Sequence, residues 1–271
     1  MDSFSLIWTD LLVEAICNGE IVSPRGHRTR ELIQKTVKVD MRSPVLMVPE
    51  RRLSYKFMAA EAYWILSGDD TVEGIAPFNP NIGQYSDDGK RFFGAYGPKV
   101  MQQLPYVIDK LMEDPDTRQA GLTIWRESPP KTKDVPCTVA MFFNIRDGKL
   151  NANVFMRSSD IWMGLPYDVF NFSMIGHFVC AVFNEVNSPD SGTVACIEPG
   201  DLYVTAASSH LYERNLKDAT KCLTSCFKTQ VDTPEILFKY PQVLMSALES
   251  LRHSSPGDAI RWWEGGKNEN N

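Results

Sequence analysis

Apolar residues recur at helical spacing at Phe4, Ile7, Leu11, Leu12 and Ile16, so the chain is expected to open with a helix that stops at Gly19. Residues 32–40 read as a strand, and residues 53–66 as a buried helix ending at Gly68. Pro98 suits the start of a further helix with Val100, Leu104, Ile108 and Leu111 turned inward, and Pro105 is expected to kink it or delay its start. Residues 119–126 look like a strand, 166–184 like a helix and 200–207 like a strand, with a helix following His210. Strands and helices alternate on no strict βαβ rhythm, which points to an α+β fold.

The clearest local signal lies between residues 137 and 158. Two β-rich runs flank Asp147-Gly148, the chemistry of a two-residue type I′ turn. In an uninterrupted ladder Arg146 pairs with Lys149, which sets Cys137 opposite Ser158 and Thr138 opposite Arg157. Directly paired Cβ atoms lie ~4.5–5.5 Å apart, so a thiol, a guanidinium and a hydroxyl converge at one end of the hairpin.

Composition narrows the functional classes. The chain has 271 residues, 43% hydrophobic and 23% charged, which excludes collagen, coiled coil and a disordered chain. No internal repeat or linker-like stretch interrupts it, so residues 1–263 are expected to form one catalytic domain, and the polar segment 264–271 a frayed tail. The formal net charge of -6 has the wrong sign for a non-specific nucleic-acid or membrane-surface binder, although a local arginine cluster can still hold a small anion. The sequence has no run of 18 or more apolar residues and begins without an export signal, so a cytoplasmic protein is expected. The six cysteines (Cys17, Cys137, Cys180, Cys196, Cys222, Cys226) then read as reduced thiols. Cys222 and Cys226 share a helical face but lack the companions of a zinc site.

Several residues invite two readings. Cys137, after Pro136 at the start of a strand, is either a buried core cysteine or a nucleophile whose thiol pKa a nearby guanidinium lowers. Arg157-Ser158-Ser159-Asp160 offers the donors that hold phosphate, or forms a surface ion pair at a strand end. Glu61, within the apolar run 58–64, is either at a boundary or buried with a raised pKa. His210 and Tyr212 are core polar groups or ligands. No H-E-x-x-H, Walker or Rossmann pattern supports metal, nucleoside triphosphate or dinucleotide chemistry.

Taken in order, these segments resemble the thymidylate synthase and deoxycytidylate hydroxymethylase family. The matching stretches are residues 61–69, Gly94-Ala95-Tyr96-Gly97, Asp116-Thr117-Arg118, Pro136-Cys137-Thr138, Arg157-Ser158-Ser159-Asp160 through Gly164-Leu165-Pro166-Tyr167-Asp168, and Pro199-Gly200-Asp201 through His210-Leu211-Tyr212. The resemblance implies a three-layer α+β fold around a large mixed β-sheet. It also implies a homodimer with sheets packed back to back and 5,10-methylenetetrahydrofolate as cofactor. By the same resemblance, Arg157 and Ser158 hold the nucleotide phosphate together with Arg118 of the partner subunit and an N-terminal arginine, either Arg25 or Arg28. Cys137 is the nucleophile, Glu61 the acid/base that organises water, Tyr96 the tyrosine beside the nucleophile, and His210 and Tyr212 the sugar-hydroxyl ligands.

The resemblance also implies a choice of base. Uracil-using members carry asparagine where this chain has Asp168, and hydroxymethylases of deoxycytidylate carry aspartate. One oxygen of Asp168 accepts from the cytosine N4 amino group while a proton is shared with N3; an ionised Asp168 would face the O4 acceptor of uracil. Thr138 stands where synthases usually have histidine, Gln119 where a second arginine is usual, and the neighbourhood of Ile82 lacks the family's tryptophan. The expected reaction is therefore conversion of dCMP to 5-hydroxymethyl-dCMP, with 5-methyl-dCMP formation, CMP hydroxymethylation and thymidylate synthesis on dUMP as alternatives. A non-catalytic nucleotide binder has no need of the thiol.

Overall fold

The computed structural model describes residues 4–128, 130–187, 196–226 and 235–255. The segment 264–271, expected to fray, lies outside them. The elements run α1 (Phe4–Asn18), β1 (Glu20–Val22), β2 (Thr29–Asp40), α2 (Tyr55–Leu66), α3 (Val72–Ile75), α4 (Gly97–Glu113), β3 (Gly121–Thr123), β4 (Thr138–Arg146), β5 (Lys149–Met156), β6 (Ser159–Asp160), α5 (Leu165–Val186), β7 (Glu198–Tyr212), α6 (Leu216–Cys226) and α7 (Pro241–His253). Seven strands form one sheet in the order β1-β2-β7-β5-β4-β3, with β6 beside β7. β5 and β6 run parallel to β7, while β1/β2, β2/β7, β3/β4 and β4/β5 are antiparallel. The fold is α+β around a large mixed sheet.

Local chemistry accounts for the elements that carry the site. Ser54 caps α2, its hydroxyl accepting from the Phe57 N–H at 3.2 Å, and the alanines of residues 59–62 favour the helix that follows. α5 buries Val169, Phe170, Phe172, Ile175, Val179 and Phe183 almost completely, each contributing roughly 1.5–3 kcal/mol. At 22 residues α5 has the length and hydropathy of a membrane span, yet 78% of its most apolar window is buried inside the fold, as in a core helix.

Three expectations change. β7 extends to Tyr212, so His210 and Tyr212 lie on a strand, and α6 starts only at Leu216 after a turn at Glu213–Asn215. The pairing of β7 with β2 through Thr29↔Tyr212 carries the strand beyond its apolar stretch. β3 covers only Gly121–Thr123 of the expected 119–126. α4 runs through Pro105, whose ring sits on the exposed side of the helix.

The hairpin forms as its turn predicts, with Asp147 at φ 51° and Gly148 at φ 71°, and Arg146 pairs with Lys149. Its far end differs. Ala140 still pairs with Phe155, but Thr138 pairs with Met156, so Val139 is an extra residue in β4. The Val139 carbonyl turns toward β3, accepting from the N–H groups of Ile124 (2.9 Å) and Trp125 (3.1 Å). Beyond the bulge the Arg157 N–H donates to the Cys137 carbonyl at 2.8 Å. Cys137 therefore faces Arg157, and the expected pairs Cys137–Ser158 and Thr138–Arg157 are not made.

The start of α4 is fixed by close approach. A Cβ at Gly97 would stand 2.7 Å from the Asp69 carbonyl and 3.0 Å from that of Ile65, both backbone atoms. Gly97→Ala is expected to cost roughly 1–3 kcal/mol in urea unfolding followed by circular dichroism. A loss below roughly 0.5 kcal/mol would show that the backbone there yields easily.

Candidate active site

A cavity of about 800 Å³ opens between α2, α5 and the end of the hairpin. Glu61, Tyr96, Cys137, Ser158 and Asp168 all line it, joined by Asp134, Asp160 and Asn171. Trp64, Ile65, Ile82 and Phe92 add an apolar wall, while Asn79, Asn81 and Gln84 bring polar groups. A second concavity of about 660 Å³ lies against α1 and β2, but its charges pair with one another: Lys35 with Glu14, Lys38 with Asp201 at 2.9 Å and Arg42 with Asp40 at 2.7 Å.

Cys137 and Arg157 are bound together. The guanidinium donates through Nε to the Pro136 carbonyl (3.0 Å) and through Nη2 to the Val135 carbonyl (2.9 Å), and Nη2 stands 3.6 Å from Cys137 Sγ. Even so, the thiol pKa is raised above its ordinary value. Burial dominates, the Arg157 charge opposes it less strongly, and the Asp168 and Asp134 charges reinforce it. The guanidinium does lower the thiol pKa, as its proximity suggests, but a buried thiolate loses more hydration than one guanidinium restores. Behind the thiol, Thr138 donates to Tyr96 Oη through its hydroxyl (3.0 Å) and its N–H (3.3 Å), and the Tyr96 ring stacks on Phe172.

Two carboxyls sit deep in the cavity. Burial raises Glu61 from its ordinary 4.5 to about 7, partly offset by Asn171 Nδ2 donating to Glu61 Oε2 at 2.7 Å. Burial also raises Asp168 well above the usual carboxylate range, with the Glu61 and Asp160 charges adding to the effect. Both groups therefore hold a proton more readily than an exposed carboxyl does.

The remaining residues sort by position. Ser158 Oγ lies 3.5 Å from His210 Nδ1, and the His210 ring meets Tyr212 edge-on at 5.1 Å. Asp160, opposite His210 in the parallel pairing, accepts from the N–H groups of Trp162 and Met163 at 2.9 Å each. Arg157, His210 and Tyr212 stand behind the cavity lining rather than in it. Arg25, in an exposed turn, acts electrostatically on both Cys137 and His210, whereas Arg28 is paired with Glu213 at 2.8 Å. Arg118 is exposed between α4 and β3 and does not line the cavity. The sequence reading missed Asn171 and Asp134; Asn171 follows Asp168 by three helical positions, which places both on one face of α5. Asp134 Oδ2 accepts from the Gly94 N–H at 2.7 Å.

The site thus joins a buried thiol, held against Arg157, to two carboxyls that burial pushes above the usual carboxylate range. The sequence model of the thymidylate synthase family matches residues 7–244, and the chain belongs to this family of one-carbon transferases. It is also 30% identical over 229 residues to a deoxyuridylate hydroxymethyltransferase of Bacillus phage SP01, an alignment that takes in 76% of this chain. The alignment covers 56% of that relative, so the chain spans about half the relative's length.

The raised Glu61 pKa fixes the sign of a pH effect. The native state keeps a proton that the unfolded chain loses, so this group makes stability fall as pH rises from about 4.5 to about 7. Glu61→Gln is expected to unfold at higher temperature than the parent at pH 8, by the equivalent of about 1–3 kcal/mol, with the gap closing toward pH 5. A gap independent of pH would mean that Glu61 is ionised throughout.

Proposed function

We propose that this chain transfers a one-carbon unit from 5,10-methylenetetrahydrofolate to C5 of a cytidine nucleotide, converting dCMP to 5-hydroxymethyl-dCMP. The observation that carries the reading is the Asp168 carboxyl, buried in the same cavity as the Cys137 thiol and pushed by that burial above the usual carboxylate range. Its volume lies in the upper part of the ~300–1,000 Å³ range of ligand sites. The wall formed by Trp64, Ile65, Ile82 and Phe92 suits a flat pterin beside the nucleotide. The folate supplies a carbon at the oxidation level of formaldehyde.

The chain's own residues account for activation of the base. Cys137 Sγ adds to C6 of the pyrimidine and the displaced electron pair makes C5 nucleophilic. A neutral Asp168 donates its proton to cytosine N3 and accepts from the N4 amino group. Once the proton has moved to N3, the carboxylate still accepts from both N3–H and N4–H. Cytosine thus satisfies Asp168 in both protonation states, while uracil is matched only by the protonated acid and meets the carboxylate with its O4 acceptor. Glu61, with a pKa near neutrality, is suited to take and return protons at pH 7. Arg157 with Ser158 is assigned to phosphate, joined by Arg25, whose position favours it over Arg28; His210 and Tyr212 are assigned to the sugar. Polar Asn79, Asn81 and Gln84 beside Ile82 admit water, which favours a hydroxymethyl over a methyl product.

We assign a homodimer to complete the site. One face of the sheet leaves Phe142 and Phe155 exposed at 41% and 47%, packed edge-on at 6.5 Å, a patch that a second copy would cover. Arg118 would then reach the phosphate from across the interface. The uridine reading has one observation in its favour, the activity named for the phage relative.

Incubation with methylenetetrahydrofolate and C5-tritiated dCMP, dUMP or CMP is expected to release tritium fastest from dCMP and to form no dihydrofolate. Preference for dUMP would overturn the base assignment, and dihydrofolate formation would indicate methyl transfer. Asp168→Asn is expected to shift kcat/KM toward dUMP by at least about tenfold relative to dCMP. Unchanged selectivity would refute the role given to Asp168. Phe155→Asp is expected to convert a dimer into a monomer in sedimentation velocity and to weaken dCMP binding; an unchanged dimer would place the interface elsewhere.

A further inference from the structure

Asn171 is buried to 4% exposure, lines the cavity, and divides its amide between two tasks. Nδ2 donates to Glu61 Oε2 at 2.7 Å, while Oδ1 is buried with no hydrogen-bond partner among the described residues. An unsatisfied buried carbonyl costs ~1–3 kcal/mol unless water or a ligand meets it. The orphaned oxygen lies on the same amide that fixes Glu61, and one helical turn beyond Asp168 on the same face of α5.

We propose that Asn171 is a positioning residue that holds, together with Glu61, the water whose oxygen becomes the hydroxyl group of the product. This rests on the one-carbon transfer reading above. A water donating one hydrogen to Asn171 Oδ1 and the other to the Glu61 carboxylate has both its protons engaged. Its lone pair is then directed outward, toward the exocyclic methylene carbon that C5 of the base bears after the folate has departed. The oxygen lone pair forms the new C–O bond, and the methylene π pair moves into the ring toward C4. A water proton passes to Glu61. The ring pair then rebuilds the C5–C6 double bond as the C6–S bond breaks, its electrons leaving on Cys137 Sγ. The sequence is redox-neutral and consumes one water. A side chain with a single hydrogen-bonding atom can orient Glu61 or the water but not both; the amide does both.

The test separates hydration from the preceding steps. In Asn171→Leu, hydroxymethyl product is expected to fall at least about thirtyfold while C5 tritium release falls no more than about threefold, with the KM for dCMP within about twofold. An intact-protein mass spectrum is expected to show a covalent nucleotide adduct carrying the extra carbon. Independently of turnover, 13C NMR of protein labelled at the glutamate carboxyls, with Glu61 assigned through Glu61→Gln, is expected to show Glu61 titrating at higher pH in Asn171→Leu than in the parent. Asn171→Ser, which disturbs packing less, is expected to give an intermediate release-to-product ratio and decides the matter if the leucine variant does not fold. An unchanged ratio, or equal losses of release and product with Glu61 titrating as in the parent, would overturn the proposal. Failure of the parent protein to release C5 tritium from any of the three nucleotides would overturn the one-carbon reading itself, and this inference with it.

Discussion

The contact on which the site depends is the one between Arg157 and the strand that bears Cys137. Its backbone N–H bonds the Cys137 carbonyl, its guanidinium bonds the two preceding carbonyls, and the same guanidinium lies against the sulfur. Four attachments from one residue, just past the end of β5, fix Cys137 in place. The contact exists because Val139 bulges out of β4; an unbroken ladder would bring Ser158 opposite the thiol and move the arginine one position inward. The bulge is held from the other side by Ile124 and Trp125, just beyond β3, whose N–H groups bond the Val139 carbonyl.

Around that fixed point the protein gathers groups that resist ionisation. Burial raises Glu61, Asp168, Tyr96 and the Cys137 thiol alike. Each of these groups therefore keeps its proton more readily than it would in water. The arrangement is held against its own desolvation cost by α5, which lays a row of buried aromatic and aliphatic side chains under the sheet and turns Asp168 and Asn171 into the cavity. The burial that raises Asp168 and the packing of the core therefore come from the same helix.

The two faces of the sheet differ in character. The buried face of β4, β5 and β7 supports the cavity, whereas the opposite face presents Phe142 and Phe155 to solvent. Strand alternation divides the two faces residue by residue, so a single hairpin contributes both to the setting of Cys137 and to the exposed aromatic patch.

Sequence alone determined what depends on near neighbours along the chain. The Asp147-Gly148 turn dictated the hairpin because only residues tolerant of positive φ close a type I′ loop, and the spacing from Phe4 to Ile16 dictated α1 because its apolar stripe repeats at the helical period. The motifs around Cys137, Arg157 and Asp168 likewise marked the cavity residues by type and order. Tertiary structure decided the rest. A one-residue bulge follows from bonds to Ile124 and Trp125, more than a dozen residues away, and so leaves no signature in the hairpin itself. The pairing of Arg28 with Glu213, brought close by β2 pairing with β7, is likewise a tertiary contact. The upward shifts of Asp168 and of the thiol came from burial, a property of everything packed around a group rather than of its sequence neighbours.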